Sequence, residues 1–208
     1  MSVPRPRTPR SPHELREPKP RNLQAKLEVL SSRVVFRGPI FEVTRDQVRE
    51  PNGVTAIREV IRPSGSVVIL AVDNPGAELR VLLERQYRFA AKDYMLELPA
   101  GRIDPGESAL TAGKRELREE TGYTARKWKR VLYFYPSPGF LEESMTVFLA
   151  SGLKAGKAKP EADERIDCLW LPLTEVVEMA MSGHIRDGKT LAGVLWLSQA
   201  LNRQPRAS

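Results

Sequence analysis

The hydrophobic pattern of the N-terminal half of the chain predicts β-strands. From residue 34 onward apolar positions become frequent, and segments 40–48 and 54–61 partly alternate between apolar and polar residues. A Pro-Asn-Gly turn at 51–53 separates these two segments, so we expect an antiparallel hairpin. Residues 66–72 form a nearly continuous apolar run, which is typical of a strand buried on both faces.

Helical spacing of apolar residues appears in three later parts of the chain. The first helix, of about 13 residues, is expected between Ser108, a suitable N-cap, and Gly122, which fits a left-handed position after the last turn. Apolar residues at helical spacing in segments 173–181 and 190–201 predict two further helices at the end of the chain. These apolar stripes are interpreted as core-facing surfaces.

Additional strands are expected on both sides of the first helix. The segments that carry their pattern are 79–85, 129–135, 144–150 and 166–171. Strands before and after one long helix, followed by two terminal helices, predict an α+β fold or an α/β/α sandwich.

The charge of the chain is concentrated in its first 26 residues. The protein has 208 residues and a formal net charge of +7, and segment 1–26 holds seven basic residues against two acidic ones, which leaves only +2 for the rest. The same segment contains six prolines and little apolar content. We therefore expect a disordered basic Pro-rich tail at 1–26 and one folded domain at 27–205. A solubilising or weakly anion-binding tail is favoured over RNA binding, so nucleic acid is not an expected partner.

The number of cysteines and the lengths of the apolar runs indicate in which cellular compartment the protein is expected. The single cysteine, Cys168, excludes an internal disulfide framework and fits a reducing cytoplasm. Because it lies in an apolar run, we expect it to be a small buried residue rather than a nucleophile. No apolar run approaches the roughly 18 residues of a membrane span, and the N-terminus lacks the apolar region of a secretory signal. A cytoplasmic protein without membrane contact is expected.

Residues 101–123 carry the strongest chemical signal in the chain. On the predicted helix, Glu116 and Glu120 are one turn apart and Glu119 stands three residues from Glu116. Three like charges on one side of a helix repel, but a hard divalent cation such as Mg²⁺ takes oxygen ligands of this kind. Arg115 lies one turn before Glu119 and can pair with it. The pattern predicts a metal site, and a solvated charged helix is the alternative.

At this segment the chain resembles the Nudix hydrolases, whose signature is Gly-x5-Glu-x7-Arg-Glu-U-x-Glu-Glu-x-Gly-U, with U a bulky apolar residue. The resemblance covers roughly residues 28–205 and implies a Nudix-type α/β/α sandwich with a mixed β-sheet and an N-terminal antiparallel hairpin region. The fixed positions are filled by Gly101, Glu107, Arg115, Glu116, Leu117, Glu119, Glu120 and Gly122, and Tyr123 stands at the final U as an aromatic residue. We call segment 101–123 the box, and Glu116, Glu119 and Glu120 the box carboxylates.

The resemblance implies a divalent metal and a reaction. It implies hydrolysis of a nucleoside diphosphate linked to a further group, with Mg²⁺ as the metal and Mn²⁺ as a possible substitute. Metal ions of this kind neutralise phosphate oxygens and activate water. Glu116 and Glu120 are implied as the principal ligands, with Glu119 as a third ligand or a base. The backbone carbonyl of Ala100, just before the signature, resembles a further ligand position.

A second segment resembles the ADP-ribose pyrophosphatase branch of the family. Ser-Pro-Gly at 137–139, with a carboxylate after it, looks like the marker of this branch, and so does the segment 84–88. In that branch an arginine at the position of Arg88 would contact phosphate or ribose oxygens, a role that suits a guanidinium group. The pair Arg58-Glu59 resembles an element near the adenine, often supplied by the partner subunit of a homodimer. The expected substrate-binding residues are Arg58, Glu59, Arg85, Arg88, Pro138, Gly139 and Glu143.

The general base is expected on the charged loop that precedes the last strand. In the resembling branch an acidic residue on such a loop acts as the base, and Glu164 is the first choice here, with Glu161 as the alternative. The alternative interpretation is that this segment is a charged loop without a catalytic role. Arg115 is expected to support catalysis by fixing Glu119, and Glu107 is expected to brace the loop through Arg115 rather than bind metal.

Three functions follow from these expectations. The first is Mg²⁺-dependent hydrolysis of ADP-ribose or a related ADP-sugar, giving AMP and a sugar phosphate. The second is a broader nucleoside diphosphate-sugar hydrolase, acting for example on GDP-mannose. The third is a module that binds a nucleotide or RNA without catalysis, although such modules usually lose carboxylates that this chain retains.

Overall fold

The computed structural model describes residues 27–76, 78–160 and 165–203. The predicted tail at 1–26 lies outside the described residues, and so do both candidates for the general base, Glu161 and Glu164. Within the described part of the chain, no helix combines the length and the apolar content needed to cross a membrane.

A small antiparallel sheet forms the N-terminal region. Its strands are β1 (Glu28–Arg37), β2 (Glu42–Arg49) and β3 (Thr55–Arg62), in the order β1-β2-β3. The predicted hairpin corresponds to β2 and β3, and it is confirmed. β1 begins six residues before the position at which the sequence pattern first indicated strands.

The second sheet has seven strands, and it is mixed. Five of them lie in the order β10-β5-β4-β9-β8, while β6 pairs with β5 and β7 pairs with β4. β4 and β9 are parallel, whereas the other pairs are antiparallel. The strands are β4 (Ser66–Asp73), β5 (Arg80–Arg88), β6 (Asp93–Glu97), β7 (Ala100–Arg102), β8 (Thr124–Phe134), β9 (Met145–Lys154) and β10 (Ile166–Pro172).

Three helices cover the two faces of this sheet. They are α1 (Ala109–Thr121), α2 (Leu173–Met181) and α3 (Gly188–Asn202). Residues of β4 alternate between two cores: Val68 and Leu70 pack with residues of α2 and α3, while Val67 and Ile69 pack with residues of α1. Because each face of β4 is covered, its interior is apolar at every position. The predicted α+β fold, an α/β/α sandwich with a mixed sheet, is confirmed.

The ends of α1 agree with the sequence prediction. The Ser108 side chain accepts a hydrogen bond from the backbone N–H of Thr111 at 3.1 Å, as an N-cap residue does. Gly122 has φ of 76° and its N–H donates to the carbonyl of Arg118 at 3.0 Å. A left-handed residue with no Cβ is favoured at this position. The caps therefore fix the ends of α1, the helix that carries Glu116, Glu119 and Glu120.

Two expectations differ from the structure. The short strands β6 and β7 were not predicted, and β8 begins at Thr124, five residues earlier than expected.

Cys168 is exposed, so the expectation of a buried cysteine is wrong. It lies on β10, which is the last strand in the order of the sheet, so that among residues 27–76, 78–160 and 165–203 no further strand pairs beside it. Local desolvation of the thiol, together with the charges of nearby carboxylates, raises the pKa of Cys168 to about 11.

Candidate active site

The box helix packs tightly against the strand that precedes it. β7 pairs with β4, and its Gly101 faces the side chain of Glu116. A Cβ on residue 101 would lie 2.0 Å from the carboxyl group of Glu116, a separation that no real contact shows. Glycine at 101 therefore leaves room for the carboxylate of Glu116 beside the backbone that carries Ala100, and any Cβ at 101 would force that side chain to move.

Arg115 connects the loop before α1 with the carboxylates of the helix. One nitrogen, Nη1, donates to Glu116 at 2.7 Å and to Glu119 at 3.3 Å. On its other side the guanidinium donates to both carboxyl oxygens of Glu107, at 3.0 and 3.3 Å, and to the carbonyl of Arg102 at 2.9 Å. Hydrogen bonding to Glu107 is the largest cause that raises the pKa of Arg115, and it lowers the pKa of Glu107. Arg115 is thus a fixed cation.

The three box carboxylates differ in their exposure to solvent. The side chain of Glu119 is 38% exposed and that of Glu116 is 14% exposed, while Glu120 is buried at 6%. Within the described ranges, no group of three acidic, histidine or cysteine residues already has the geometry of a metal site. Arg115 instead holds two of the three carboxylates.

The donor chemistry and the close approach at Gly101 fit Mg²⁺. The carboxylates of Glu116, Glu119 and Glu120 are hard oxygen ligands, and Mg²⁺ prefers a few of them, with waters and substrate phosphates completing its shell. The tight contact at Gly101 brings Glu116 next to a backbone segment with carbonyl oxygens of the same kind. These residues can therefore supply the ligands that the sequence predicts.

A cavity of about 250 Å³ lies beside this segment. It brings together Arg88, Ala100 and Glu143, which were predicted separately as phosphate, metal and substrate contacts. Glu143 accepts a hydrogen bond from Ser66 Oγ at 2.5 Å. The complete lining is Ser66, Arg88, Ala100, Gly101, Arg102, Glu143, Met145 and Lys189.

A second cavity, of about 300 Å³, lies at the junction of the two sheets. The predicted residues Pro138 and Gly139 line it, together with Tyr135 and Phe140. Ile61 of β3 holds this loop in place, since its N–H donates to the carbonyl of Phe140 at 2.8 Å and its carbonyl accepts from Glu142 at 2.9 Å. The loop at 137–143 therefore contributes to both cavities.

Three predicted contacts lie outside both cavities. Arg85 stacks on the ring of Tyr94 at 4.0 Å and lies 3.7 Å from Asp167. Arg58 pairs with Glu50, and Glu59 pairs with Arg45, on the surface of the N-terminal sheet. The adenine contact expected of Arg58 and Glu59 across a dimer therefore stays a prediction.

Two buried residues at this cavity, Glu97 and Lys189, were not predicted from the sequence. Lys189 and Arg88 line the cavity, and both bind Glu97, which is 4% exposed. Glu97 ends a five-residue strand that gave no recognised pattern, and Lys189 lies 92 residues away in sequence. A lysine immediately before the predicted helix at 190–201 was the available signal, but it identifies no partner.

Comparison with known proteins agrees with these features. A family model described as NUDIX domain matches residues 62–193, and one described as Nucleoside diphosphate sugar hydrolase N-terminal domain matches residues 28–61. Together they span both sheets.

Curated relatives extend over most of the chain. An ADP-ribose pyrophosphatase of Bacillus subtilis is 33% identical over 85% of this chain and 96% of its own. An ADP-ribose pyrophosphatase of Mycobacterium tuberculosis is 38% identical over 81% of each chain. A GDP-mannose pyrophosphatase of Salmonella arizonae is 33% identical over 75% of this chain and 83% of its own.

A solved structure supports the fold independently. The crystal structure of an ADP compounds hydrolase superposes with a TM-score of 0.76 and covers 88% of this chain and 97% of its own, at 24% sequence identity. At that identity the likeness concerns the fold.

Proposed function

The chain belongs to the Nudix family and is a pyrophosphatase of the nucleoside diphosphate-sugar type, and from this premise we propose that it hydrolyses ADP-ribose or a related ADP-sugar to AMP and a sugar phosphate. The observation that carries the proposal is the cavity beside Gly101. It collects Arg88, Ala100 and Glu143 next to the box carboxylate Glu116.

The residues of the site have separate tasks in this proposal. Glu116 and Glu120 hold Mg²⁺, with Glu119 and the carbonyl of Ala100 as further ligands and Mn²⁺ as a substitute metal. When bound, Mg²⁺ supplies charge neutralisation of the diphosphate and activation of water. Arg88 binds phosphate or ribose oxygens through its guanidinium group.

Arg115 positions the metal-binding carboxylates, and Glu143 positions the substrate. Arg115 is anchored by Glu107, so it restricts the movement of Glu116 and Glu119. Glu143, hydrogen-bonded to Ser66, lines the same cavity as Arg88 and Lys189 and orients the substrate. Fixed partners of this kind raise rates because the reacting groups need not be ordered at each turnover.

Glu164 is proposed as the general base, with Glu161 as the alternative. A base contributes about 10²–10⁴-fold to the rate. Glu164→Gln should therefore lower kcat more than Glu161→Gln, with little change in KM. Equal and small effects of both substitutions would exclude both residues, and Glu119 or Glu143 would become the candidate.

GDP-mannose is the second candidate substrate. The similarity to a GDP-mannose pyrophosphatase favours it, because that relative reaches the same 33% identity as one of the ADP-ribose pyrophosphatases. The cavity at Pro138 and Gly139 contains the ion pair of Arg62 with Glu142, whose charged groups can hydrogen-bond either purine.

A substrate panel tests the proposal. The full chain is incubated with Mg²⁺ and ADP-ribose, ADP-glucose, GDP-mannose or a dinucleotide, and products are separated by ion-exchange chromatography. We expect the highest kcat/KM with an ADP-sugar and AMP as the nucleotide product. Cleavage of GDP-mannose with ADP-ribose left intact would contradict the substrate while leaving the reaction class in place.

The assembly and the compartment are also proposals. We propose a homodimer formed through the N-terminal sheet, because large apolar side chains there are exposed, among them Val29, Phe36, Ile40 and Ile57. Exposed apolar patches of this kind mark interaction surfaces. The proposed location is the cytoplasm, and no nucleic acid or membrane is a proposed partner.

A further inference from the structure

An ion-pair network centred on a buried carboxylate lies at the wall of the active-site cavity. Its centre is Glu97, the last residue of β6, which is 4% exposed and does not itself line the cavity. Two cations that do line the cavity, Arg88 and Lys189, both bind this carboxylate.

The contacts of Glu97 fix both cations. Arg88 donates through Nε to Glu97 Oε1 at 2.7 Å and through Nη2 to Oε2 at 2.9 Å, which is a two-point contact that defines the plane of the guanidinium. Lys189 Nζ donates to Oε2 of the same carboxylate. One carboxylate thus sets the relative position of two positive groups on one wall of the cavity.

Lys189 is held from a second side by the start of α3. Asp187 caps this helix by accepting from the backbone N–H of Thr190 at 2.9 Å, and it lies 3.1 Å from Lys189 Nζ. Thr190 Oγ1 in turn accepts a hydrogen bond from the backbone N–H of Leu98 at 2.8 Å. The residue after Glu97 is therefore joined to α3 independently of the ion pairs.

The charge state of Glu97 is settled by the same partners. Burial works to raise the pKa of Glu97, but the hydrogen bonds and positive charges of Arg88 and Lys189 outweigh it and lower the pKa. Hydrogen bonding to Glu97 raises the pKa of Arg88. Glu97 and Arg88 are therefore ionised at neutral pH. Without the carboxylate, the charge of the buried Lys189 and that of the partly exposed Arg88 would repel each other.

We propose that Glu97 is a positioning residue that holds Arg88 and Lys189 as a rigid pair of cations for the negatively charged diphosphate of the substrate. The inference rests on the proposed function of the cavity. Glu97 lies behind the two cations and acts through them, and α3 reaches the active site because it supplies Lys189.

A substitution that removes the charge of Glu97 tests the proposal. Glu97→Gln keeps the size of the side chain but weakens its bonds to both cations, so KM for ADP-ribose should rise about 10–100-fold, as is typical when a supporting residue is removed. Steady-state kinetics give KM and kcat, and calorimetry of ADP-ribose binding in EDTA gives a second readout that does not depend on the metal.

Asp93→Asn is the matched control. Asp93 lies on the same strand and pairs with Arg186 at 2.6 Å, so it also joins β6 to the segment before α3, but it does not line the cavity. We expect unchanged KM and unchanged binding in this variant. Equal KM values in Glu97→Gln and Asp93→Asn would overturn the positioning role, whatever happens to the melting temperature.

A double-substitution cycle checks that Glu97 acts through Arg88. If it does, the rise in KM for Glu97→Gln combined with Arg88→Gln should fall well short of the product of the two single effects. A rise in KM equal to the product of the two single effects would contradict the proposal. If Glu97→Gln does not fold, Lys189→Met replaces it, and a KM equal to that of Asp93→Asn would contradict the proposal in the same way.

The outcomes separate this inference from the proposed function. If the wild-type protein cleaves another nucleoside diphosphate sugar instead of ADP-ribose, the cycle is run on that substrate and the positioning role is tested there. If the wild-type protein cleaves none of them, the proposed function and this inference both fail. If the wild-type protein is active and Glu97→Gln matches its control, this inference alone fails.

Discussion

At the residue scale, the contact between Gly101 and Glu116 joins a sequence signature to a physical requirement. The signature marks a glycine at 101, and the structure gives the reason, because any side chain there would occupy the space of the Glu116 carboxylate. The glycine gives space to the Glu116 side chain rather than backbone freedom, since it is not among the glycines of positive φ.

Gly101→Ala tests that requirement. The added Cβ must displace the carboxylate of Glu116, and a displacement of about 1 Å in a catalytic group can cost about 100-fold in rate. We expect kcat to fall by about that factor while the far-ultraviolet circular dichroism spectrum is unchanged. Gly76→Ala is the control, because a Cβ at 76 meets no atom within 4 Å and should leave kcat near the wild-type value. Equal activity of the two variants would contradict the packing argument.

Residue-level prediction of local contacts was confirmed where one segment carried the whole signal, as for the caps of α1 and the ion pair of Arg115 with Glu119. The box carboxylates, Arg115 and the caps at Ser108 and Gly122 lie within 15 residues, so spacing alone related them to one another. Lys189 and Glu97 were missed because their contact joins residues 92 positions apart. A pair of that kind depends on how α3 packs against the sheet, which no local pattern contains.

At the element scale, one buried carboxylate links the side chains of all three strands of the N-terminal sheet. Asp46 of β2 accepts hydrogen bonds from Ser32 Oγ of β1 at 2.5 Å and from Arg62 Nη2 of β3 at 3.0 Å. Thr44 Oγ1 adds a third, at 3.1 Å. The hydrogen bond from Ser32 is the largest cause that holds the pKa of Asp46 below its ordinary value of 3.8.

Asp46→Asn should destabilise the protein in a pH-dependent way. Removing the charge weakens buried hydrogen bonds, and we expect the free energy of unfolding to fall by about 1–3 kcal/mol at pH 7. Because the pKa of Asp46 is lowered in the folded state, this contribution is complete above pH 3.8 and is lost as the pH falls through the lower, folded-state pKa. Urea denaturation of both proteins across this pH range measures the difference.

The control for this variant is an exposed pair on the same sheet. Arg49 and Glu28 lie 2.6 Å apart, but the side chain of Glu28 is 59% exposed. Exposed pairs contribute about 0–1 kcal/mol, so Glu28→Gln should change stability little at any pH. A pH-independent loss for Asp46→Asn, or a loss no larger than that of Glu28→Gln, would contradict the interpretation of Asp46.

Helices and strands were predicted most accurately where the hydrophobic pattern was long and regular. The long apolar run of β4 and the capped helix α1 were predicted with bounds within one or two residues of those observed. β7 has three residues and β6 has five. Segments of that length contain too few repeats of the alternating apolar pattern for a strand to be recognised. The misjudged burial of Cys168 has a similar origin, because the sequence does not reveal that β10 stands at the edge of the sheet.

At the scale of the whole molecule, the two sheets differ in how their apolar residues are covered. The seven-stranded sheet has helices on both faces, whereas the N-terminal sheet leaves several large apolar side chains exposed. The exposed residues of its strands include Val29, Val34, Val35, Phe36 and Ile57, and Ile40 is exposed in the turn between β1 and β2. A second copy of the chain that covers these residues would bury them, and it would bring Arg58 and Glu59 close to another subunit.

Phe36→Asp tests the proposed dimer. A charge at this exposed position, on a strand edge of the proposed interface, should prevent burial and shift the protein from twice the 23.4 kDa chain mass to one chain mass. Light scattering after size-exclusion chromatography at micromolar concentration gives the mass. Met181→Asp, at an equally apolar and exposed position at the end of α2, should leave the mass unchanged. A monomeric wild-type protein would contradict the dimer.

The most direct test of the central claim is the turnover of ADP-ribose by the wild-type protein and by Glu120→Gln over a range of Mg²⁺ concentrations. Glu120 is buried, and the glutamine keeps its shape while removing the charge that the cation needs. We predict AMP formation by the wild type that requires Mg²⁺, and a loss of kcat of about 10³-fold or more in the variant, with an unchanged fold by circular dichroism. Near-wild-type turnover of Glu120→Gln at limiting Mg²⁺, or AMP formation by the wild type in EDTA, would contradict the account.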